Sequence, residues 1–198
     1  MRFWILFLGM FLFAGTVKAQ TAEDVAKIEA YLNGITSMEA RFIQTASNGN
    51  TAQGKLYIQK PNRLRMVYDS PVDVLIVGDG KHIIYNDKEL DQVTHIDYSD
   101  IPAAIILGSE IKIDGKKLKI TKFYQDAGST TVTVEQGKKG EIGPIKLTFS
   151  NEPFELKQWT IVDPQSVEIT VSLYDINKNI PLDSGLFKFK KSSRPGFR

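Results

Sequence analysis

Short runs in which apolar and polar residues alternate fill most of this 198-residue chain, and this period of two limits its fold more than any other feature. Leu56 and Ile58 alternate with polar neighbours, and the run 63–68 repeats the pattern. Because successive side chains of a β-strand point to opposite faces of the sheet, each run predicts a strand with one apolar face. The chain is therefore predicted to be mainly β.

Twelve runs of this kind are predicted to be strands, and turn-forming pairs such as Asn48-Gly49 and Asp79-Gly80 separate several of them. The runs are 39–45, 54–60, 63–69, 72–77, 82–86, 90–95, 117–124, 130–136, 145–149, 156–162, 167–174 and 186–189. Since strands follow strands, the sheet is predicted to be antiparallel. Such a sheet curls into a single barrel or half-barrel, whose interior is either filled by side chains or open to an apolar ligand.

The first of two predicted short helices precedes all the strands. Thr21 and Asp24 have the spacing of a capping box, in which each side chain accepts a hydrogen bond from the other residue's backbone N–H. Apolar residues then recur at helical spacing as Val25, Ile28, Leu32 and Ile35. The pair Asn33-Gly34 is a stop signal, so we predict an amphipathic helix between Thr21 and Gly34.

The second predicted helix interrupts the strands at 99–108. Ser99 is a candidate N-cap, Pro102 stands in the first turn and Gly108 ends the segment. Its large apolar side chains are Ile101, Ile105, Ile106 and Leu107. A surface helix is normally polar on its outer side, so these residues require a hydrophobic hollow. The helix is either a plug packed into one end of the barrel or a movable lid over a ligand cavity.

The first nineteen residues have the pattern of a cleaved secretory signal. Arg2 precedes an apolar run at 3–15, and the small-x-small cleavage site Val17-Lys18-Ala19 follows. The apolar run is shorter than the ~20 residues that a membrane-spanning helix needs. We therefore predict a signal peptide at 1–19 and one exported domain at 20–198.

The charge balance of the exported chain argues against nucleic acid as a partner. Loss of Arg2 and Lys18 lowers the basic count from 25 to 25 minus 2, or 23, which equals the 23 acidic residues. Proteins that bind nucleic acid usually gather a basic excess on one surface. A formally neutral chain lacks that excess.

Motifs for catalysis, metals or cofactors are scarce. The chain has no cysteine, which excludes disulfides, thiol chemistry and Cys-ligated zinc. The two histidines, His82 and His95, are too few for a site with three or four ligands, and the stretch 78–81 lacks the spacer and the Ser or Thr of a phosphate loop. We expect no metal, no cofactor and no enzyme activity. Glycoside hydrolysis by a pair of carboxylates stays open as a function, because the distance between two carboxylates depends on the tertiary structure.

A series of motifs extends from the first strand to the end of the chain. They are Phe42-x-Gln44, 54–65, Tyr68-x-x-Pro71, 77–81, 90–93, Gln158-Trp159-x-x-x-Asp163, 179–182 and Leu186-Phe187-x-Phe189. In order and spacing they resemble the outer-membrane lipoprotein carrier proteins, the LolA family, over nearly the whole exported chain. The resemblance implies an unclosed antiparallel half-barrel with an N-terminal helix and a helical lid over an apolar cavity.

The same resemblance implies a monomeric periplasmic carrier for acylated lipoproteins. Its expected partners are an inner-membrane ABC-type lipoprotein-releasing complex and an outer-membrane lipoprotein receptor. Two other functions stay open, an envelope module that senses lipid or lipoprotein without transfer, and a secreted hydrolase. A carrier predicts bound lipid without turnover, whereas a hydrolase predicts perturbed carboxylates or a nucleophile in a polar cleft.

The resemblance also implies which residues contact the cargo. The acyl-chain cavity is expected to be lined by Phe42, Leu56, Ile58, Leu64, Met66, Tyr68 and Ile84. The lid is expected to present Ile101, Ile105, Ile106 and Leu107. Relatives commonly have arginine at the position of Lys60, where it is thought to hydrogen-bond lid carbonyls and hold the empty form closed. Lys60, Arg63 and Arg65 are therefore the candidates for a latch, although lysine lacks the planar fork of arginine.

Overall fold

The computed structural model describes residues 20–136 and 143–191, so the predicted signal peptide at 1–19 lies outside the described residues. Helix α1 spans Ala22–Asn33. The strands are β1 (Ser37–Ala46), β2 (Thr51–Gln59), β3 (Arg63–Tyr68), β4 (Val74–Asp79), β5 (His82–Asp87), β6 (Gln92–Asp97), β7 (Leu118–Gln125), β8 (Ser129–Gln136), β9 (Ile145–Asn151), β10 (Phe154–Val162) and β11 (Glu168–Lys178). Short 3-10 helices span Tyr98–Asp100, Pro102–Leu107 and Ser184–Phe187.

All eleven described strands belong to one antiparallel sheet. Their spatial order is β6-β5-β4-β3-β2-β1-β11-β10-β9-β8-β7, so two meanders meet where β1 pairs with β11. We call β1 to β6 the first arm and β7 to β11 the second arm. The edge strands β6 and β7 do not pair with each other, and the curled sheet therefore stays unclosed. The predicted fold class, a mainly β half-barrel with short helices, is confirmed.

Helix α1 fills the inner side of the second arm. Its start is capped as predicted, because the Thr21 hydroxyl accepts from the Asp24 N–H at 3.2 Å and the Asp24 carboxylate accepts from the Thr21 N–H at 2.9 Å. The Tyr31 ring packs edge-on against Phe149 and Phe154, with ring centroids 5.7 Å apart in both pairs. This packing covers the part of the second arm around Phe149 and Phe154.

The first arm has a different cover. The chain leaves β6, forms the two 3-10 helices between 98 and 107, and reaches β7 on the opposite edge of the sheet. We call 98–107 the lid. A helical segment is therefore present where the sequence predicts one, but it is wound as 3-10 helix and begins with Pro102 at the first position of its second piece.

One predicted strand is wrong. The run 186–189 is not part of the sheet, because Ser184–Phe187 forms a 3-10 helix that lies against the outer face of β3 and β4. The Asp183 carboxylate starts this turn by accepting from the Gly185 N–H at 2.9 Å. Phe187 is 3% exposed, so this side chain is buried by packing onto the sheet rather than by pairing within it.

Candidate functional site

An apolar cavity of about 410 Å³ lies on the inner side of the first arm. Its wall is built by side chains from β1 to β6, from β10 and β11, and from the lid. In the described part of the chain, no charged residue contributes to this wall. The volume falls within the range of about 300–1,000 Å³ that is usual for small-molecule sites. The interior of the half-barrel is thus open along the first arm and the adjoining parts of β10 and β11, while α1 packs against Phe149 and Phe154 of the second arm.

Five of the seven residues predicted to line the cavity do so. They are Leu56 and Ile58 on β2 and Leu64, Met66 and Tyr68 on β3. The pairing of Leu56 with Met66 and of Ile58 with Leu64 places the apolar side chains of both strands on the same face. Alternation along these two strands therefore gave the correct register.

Phe42, the first of the two remaining residues, was predicted to line the cavity but does not. Its side chain is fully buried and meets the Tyr68 ring edge-on, with centroids 5.1 Å apart. It also covers Gly54, its partner on β2, where an added Cβ would lie 2.9 Å from the Phe42 ring. Phe42 therefore supports Tyr68, which is itself a wall residue.

Ile84, the second of these residues, does not line the cavity either. It lies on the outer face of β5, and Ile83 takes its place in the wall. Two successive isoleucines make the alternation ambiguous at this point, and a shift by one residue exchanges the two faces. Both are buried, since the outer face is covered as well. Leu75 and Val77 of β4 are buried on that outer face, where the 3-10 helix Ser184–Phe187 contacts the sheet.

The lid turns three of its four predicted apolar side chains toward the cavity. Ile101, Ile106 and Leu107 line the wall, and Ile106 and Leu107 are buried there. Ile105 does not line this cavity and instead borders a separate, more polar pocket of about 580 Å³. The tighter turn of a 3-10 helix, three residues instead of 3.6, changes which side chains share a face.

Asn62, in the turn between β2 and β3, holds both helical pieces of the lid. Its N–H donates to the Leu107 carbonyl at 2.9 Å, and its carbonyl accepts a hydrogen bond from the Tyr98 hydroxyl. Asn62 has a φ of 56°, in the left-handed region that asparagine tolerates better than most residues. We call these contacts the Asn62 clasp.

The chain that follows the lid is bound to α1. The Asn33 side chain accepts from the Ile111 N–H and donates to the Ile111 carbonyl, both at 2.8 Å. The Glu29 carboxylate accepts from the Ile113 N–H. The lid therefore lies between the Asn62 clasp and a second anchor on the helix.

The three basic residues considered for the latch have partners outside the lid. Lys60 Nζ donates to the Leu32 carbonyl in the last turn of α1 at 2.7 Å. Arg65 donates to the Leu186 carbonyl at 3.0 Å on the outer face, and Arg63 lies 3.4 Å from the Gln59 side chain. Arg63 and Arg65 alternate with Leu64, so they point away from the cavity. In this structure the lid is held by Asn62 instead.

Burial lowers the pKa of Lys60 from its ordinary 10.5 to about 8, which predicts a pH-dependent contribution to stability. Between these two values the unfolded lysine retains its proton and the folded one releases it, so the free energy of unfolding rises with pH. Relative to Lys60→Met, we expect the parent to gain about 1 to 2 kcal/mol between pH 7 and pH 10, after allowance for solvent screening.

Urea denaturation of both proteins at the two pH values measures this gain. Lys55→Met, at an exposed site on β2, the strand that precedes Lys60, is the matched control. A difference between parent and Lys60→Met that stays constant from pH 7 to pH 10 would contradict the assignment.

Sequence reasoning missed several residues of the cavity wall and of the lid contacts. The wall contributed by β10 and β11, with Trp159, Ile161, Ile169 and Val171, had a signal in the alternation of those strands. The Asn62 clasp had no comparable signal, because Asn62 and Tyr98 are 36 residues apart. Among the described residues, no group of three or more potential metal ligands occurs. Within the same ranges, no helix has the length and apolar character needed to cross a membrane.

An unclosed half-barrel with an uncharged apolar cavity beneath a helical lid has the architecture of a binding site for apolar ligands. The profile of one family, described as outer membrane lipoprotein carrier protein LolA, matches residues 33–190. The chain therefore belongs to the LolA family.

Two relatives are similar to this chain in sequence over nearly the full length of both proteins. The outer-membrane lipoprotein carrier protein of Coxiella burnetii is 29% identical over 196 residues, which cover 93% of this chain and 92% of the relative. The protein of the same name from Nitrosomonas europaea is 28% identical over 196 residues, which cover 94% of this chain and 92% of that relative. A solved structure of a DUF1329 family protein from Desulfovibrio piger matches with a TM-score of 0.52 at 11% identity, over 83% of this chain and 95% of that one. This last likeness concerns the fold alone.

Proposed function

We propose that this protein is a periplasmic carrier, which binds the acyl chains of lipoproteins released from the inner membrane and delivers them to an outer-membrane receptor. The observation that carries the proposal is the uncharged cavity of about 410 Å³ beneath the lid. Membership of the lipoprotein carrier family and the names of two relatives support the same role.

The need for such a carrier follows from the hydrophobic effect. Each buried methylene is worth about 0.8 kcal/mol, so the acyl chains of one lipoprotein cost on the order of tens of kcal/mol to expose to water. An apolar cavity can replace the membrane only if it also releases the chains. Ile106 and Leu107 of the lid are buried in the core, so cargo replaces part of the apolar contacts that these side chains give up when the lid moves aside. The net free energy of loading is then small enough for reversal.

Export is part of the proposal. The pattern at 2–19 favours removal of a signal peptide after Ala19, which gives a periplasmic chain that begins at Gln20. There the carrier accepts cargo from an ABC-type lipoprotein-releasing complex and acts as a monomer. It transfers its cargo without changing it chemically, so it is not an enzyme and uses no cofactor.

Analysis of the protein purified from the periplasm tests this function. We expect intact-mass spectrometry under native conditions to find a chain that begins at Gln20, with an acylated lipoprotein bound in part of the population. On addition of membranes containing the outer-membrane receptor, the lipoprotein should leave with an unchanged mass.

Each alternative function has its own outcome in this experiment. A hydrolysed lipoprotein would indicate an enzyme, and cargo retained in the presence of the receptor would indicate a sensing module. A protein that never carries lipid, even when supplied with detergent-solubilised lipoprotein, would exclude all lipid-binding functions.

A further inference from the structure

Two polar side chains meet within the otherwise apolar cavity. Among the described wall residues, only Gln44, Tyr68, Tyr85 and Trp159 carry polar side-chain atoms. The Tyr68 hydroxyl donates to Gln44 Oε1 at 2.7 Å. Gln44 lies on β1 between its register partners Ala52 on β2 and Val171 on β11, and all three line the wall.

This pair offers more hydrogen-bond donors than it uses. The Gln44 amide has two N–H donors and the Tyr68 hydroxyl has one, and their mutual bond takes only one of the three. Gln44 Nε2 makes no hydrogen bond to any residue in the described ranges. The count is the same if the amide is turned by 180°, because Nε2 would then donate to the tyrosine oxygen. A tyrosine hydroxyl is protonated at neutral pH, and burial raises the pKa of Tyr68 further above its ordinary value.

The pair lies at the end of the cavity away from the Asn62 clasp. Gln44 pairs with Ala52 on β2, whereas Ser37 pairs with Gln59, next to the turn that carries Asn62. Ala52, Ile161 and Ile169 on the strands around Gln44 are only half-buried. A ligand with a polar head and apolar chains is therefore oriented by the cavity, with its head near Gln44 and its chain ends toward the lid.

We propose that Gln44 and Tyr68 bind the carbonyl oxygen of an ester-linked acyl chain and so set the depth and direction of the cargo in the cavity. The inference rests on the proposed function and names the chemistry that the site recognises. A carbonyl oxygen only accepts hydrogen bonds, which matches the two free donors. Since the described wall has no cationic side chain, a neutral ester is favoured over the carboxylate of a free fatty acid.

A pair of synthetic ligands tests this assignment. The first is a dipalmitoylglyceryl-cysteinyl peptide, and the second is its dihexadecyl ether analogue, which has the same chains without the carbonyl oxygens. We expect the parent protein to bind the ester about three- to tenfold more tightly than the ether, the ratio that one or two hydrogen bonds provide. In Gln44→Leu and in Tyr68→Phe this ratio should fall toward one, mainly through weaker binding of the ester.

Matched variants on the outer face of the sheet provide the controls. Gln158→Leu removes a glutamine that donates to Ser172, and Tyr174→Phe removes a hydroxyl that accepts from Arg41. Both should retain the ester-to-ether ratio of the parent. Circular dichroism and thermal unfolding check each fold, and Tyr68→Phe, which preserves the ring, carries the test if Gln44→Leu does not fold.

The outcomes separate this inference from the function on which it rests. Equal binding of ester and ether by the parent would overturn the inference and leave the carrier function intact. An ester preference that persists in both cavity variants would overturn it as well. Failure of the parent to bind either ligand would overturn the proposed function and this inference with it.

Discussion

Replacement of Leu64 by glutamate is expected to weaken the binding of acyl chains strongly while the half-barrel remains folded. Leu64 is 9% exposed, lines the cavity and lies on β3 between Ile58 of β2 and Gly78 of β4. A carboxylate at this point has no cation to pair with in the described wall, and burial without a partner costs roughly 2 kcal/mol or more. We expect the free energy of unfolding to fall by about 2–4 kcal/mol and the affinity for a fluorescent acyl probe to fall at least about tenfold.

The same carboxyl group predicts how the defect depends on pH. Burial disfavours the charged form, so the pKa of the introduced glutamate should be raised. Binding by Leu64→Glu should therefore recover partly as the pH is lowered from 7 toward 5, where the group becomes neutral. Leu90→Glu, at a turn position that is 64% exposed, adds the same charge without burying it and is the control. Parent-like binding by Leu64→Glu at pH 7 would mean that this side chain does not face the cargo.

Replacement of Gly78 by alanine is expected to release the lid. Gly78 lies on β4 directly beneath Tyr98, and an added Cβ would clash with the Tyr98 hydroxyl oxygen that forms part of the Asn62 clasp. The next atoms, the Leu64 nitrogen at 3.2 Å and the Asn62 carbonyl oxygen at 3.4 Å, are tight but close to ordinary contact. We expect Gly78→Ala to lower the free energy of unfolding by about 1–3 kcal/mol, the usual range for overpacking.

A double-mutant cycle with Tyr98→Phe separates the clash from other effects of the alanine. The phenylalanine lacks the oxygen that the new methyl group would meet, so Gly78→Ala should be less harmful in that background. We expect a coupling free energy of about 1 kcal/mol or more. Substitutions at independent sites change the free energy of unfolding additively within about 0.3–0.5 kcal/mol. Gly128→Ala, where the nearest atom to the added Cβ is 3.8 Å away, should be nearly neutral and is the control.

Loss of the clasp should also change the handling of cargo. Because the Asn62 N–H donates to Leu107, hydrogen exchange of this amide should accelerate when the lid opens. If the open form binds acyl chains better, linkage requires tighter binding of the probe and slower release to the receptor. Additive stability effects together with unchanged exchange at Asn62 would contradict the clasp.

Much of the fold could be predicted because its signals are local. The capping box at Thr21 and Asp24, the alternation of Leu64, Met66 and Tyr68, and the apolar segment that became the lid are all patterns over a few residues. Each was confirmed as an element, and the alternation placed five of the wall residues on one face, whereas the cavity that this face lines was implied by the family resemblance. The run at 186–189 has similar alternation but lies outside the sheet, because a few apolar residues can be buried by a turn as well as by a strand.

Contacts between distant residues could not be predicted in this way. The pair Ile83 and Ile84 shows the limit, since both are buried and only the cover on the outer face explains why. The partner of Lys60 is the end of α1, 28 residues earlier, where its ammonium group meets the free Leu32 carbonyl. A basic side chain in a turn has many possible acceptors, and only the tertiary structure selects one.

The sequence by itself determined the class of fold, the apolar character of the inner face and the presence of a helical cover, because periodicity and capping depend on neighbouring residues. The tertiary structure alone decided that α1 packs against the second arm through Tyr31 and that a cavity remains along the first arm and the adjoining parts of β10 and β11. It also decided that the lid is held by the backbone of Asn62 and that Gln44 meets Tyr68 inside the cavity. These features depend on which surfaces of a curled sheet come within contact distance, and no pattern along the chain records that distance.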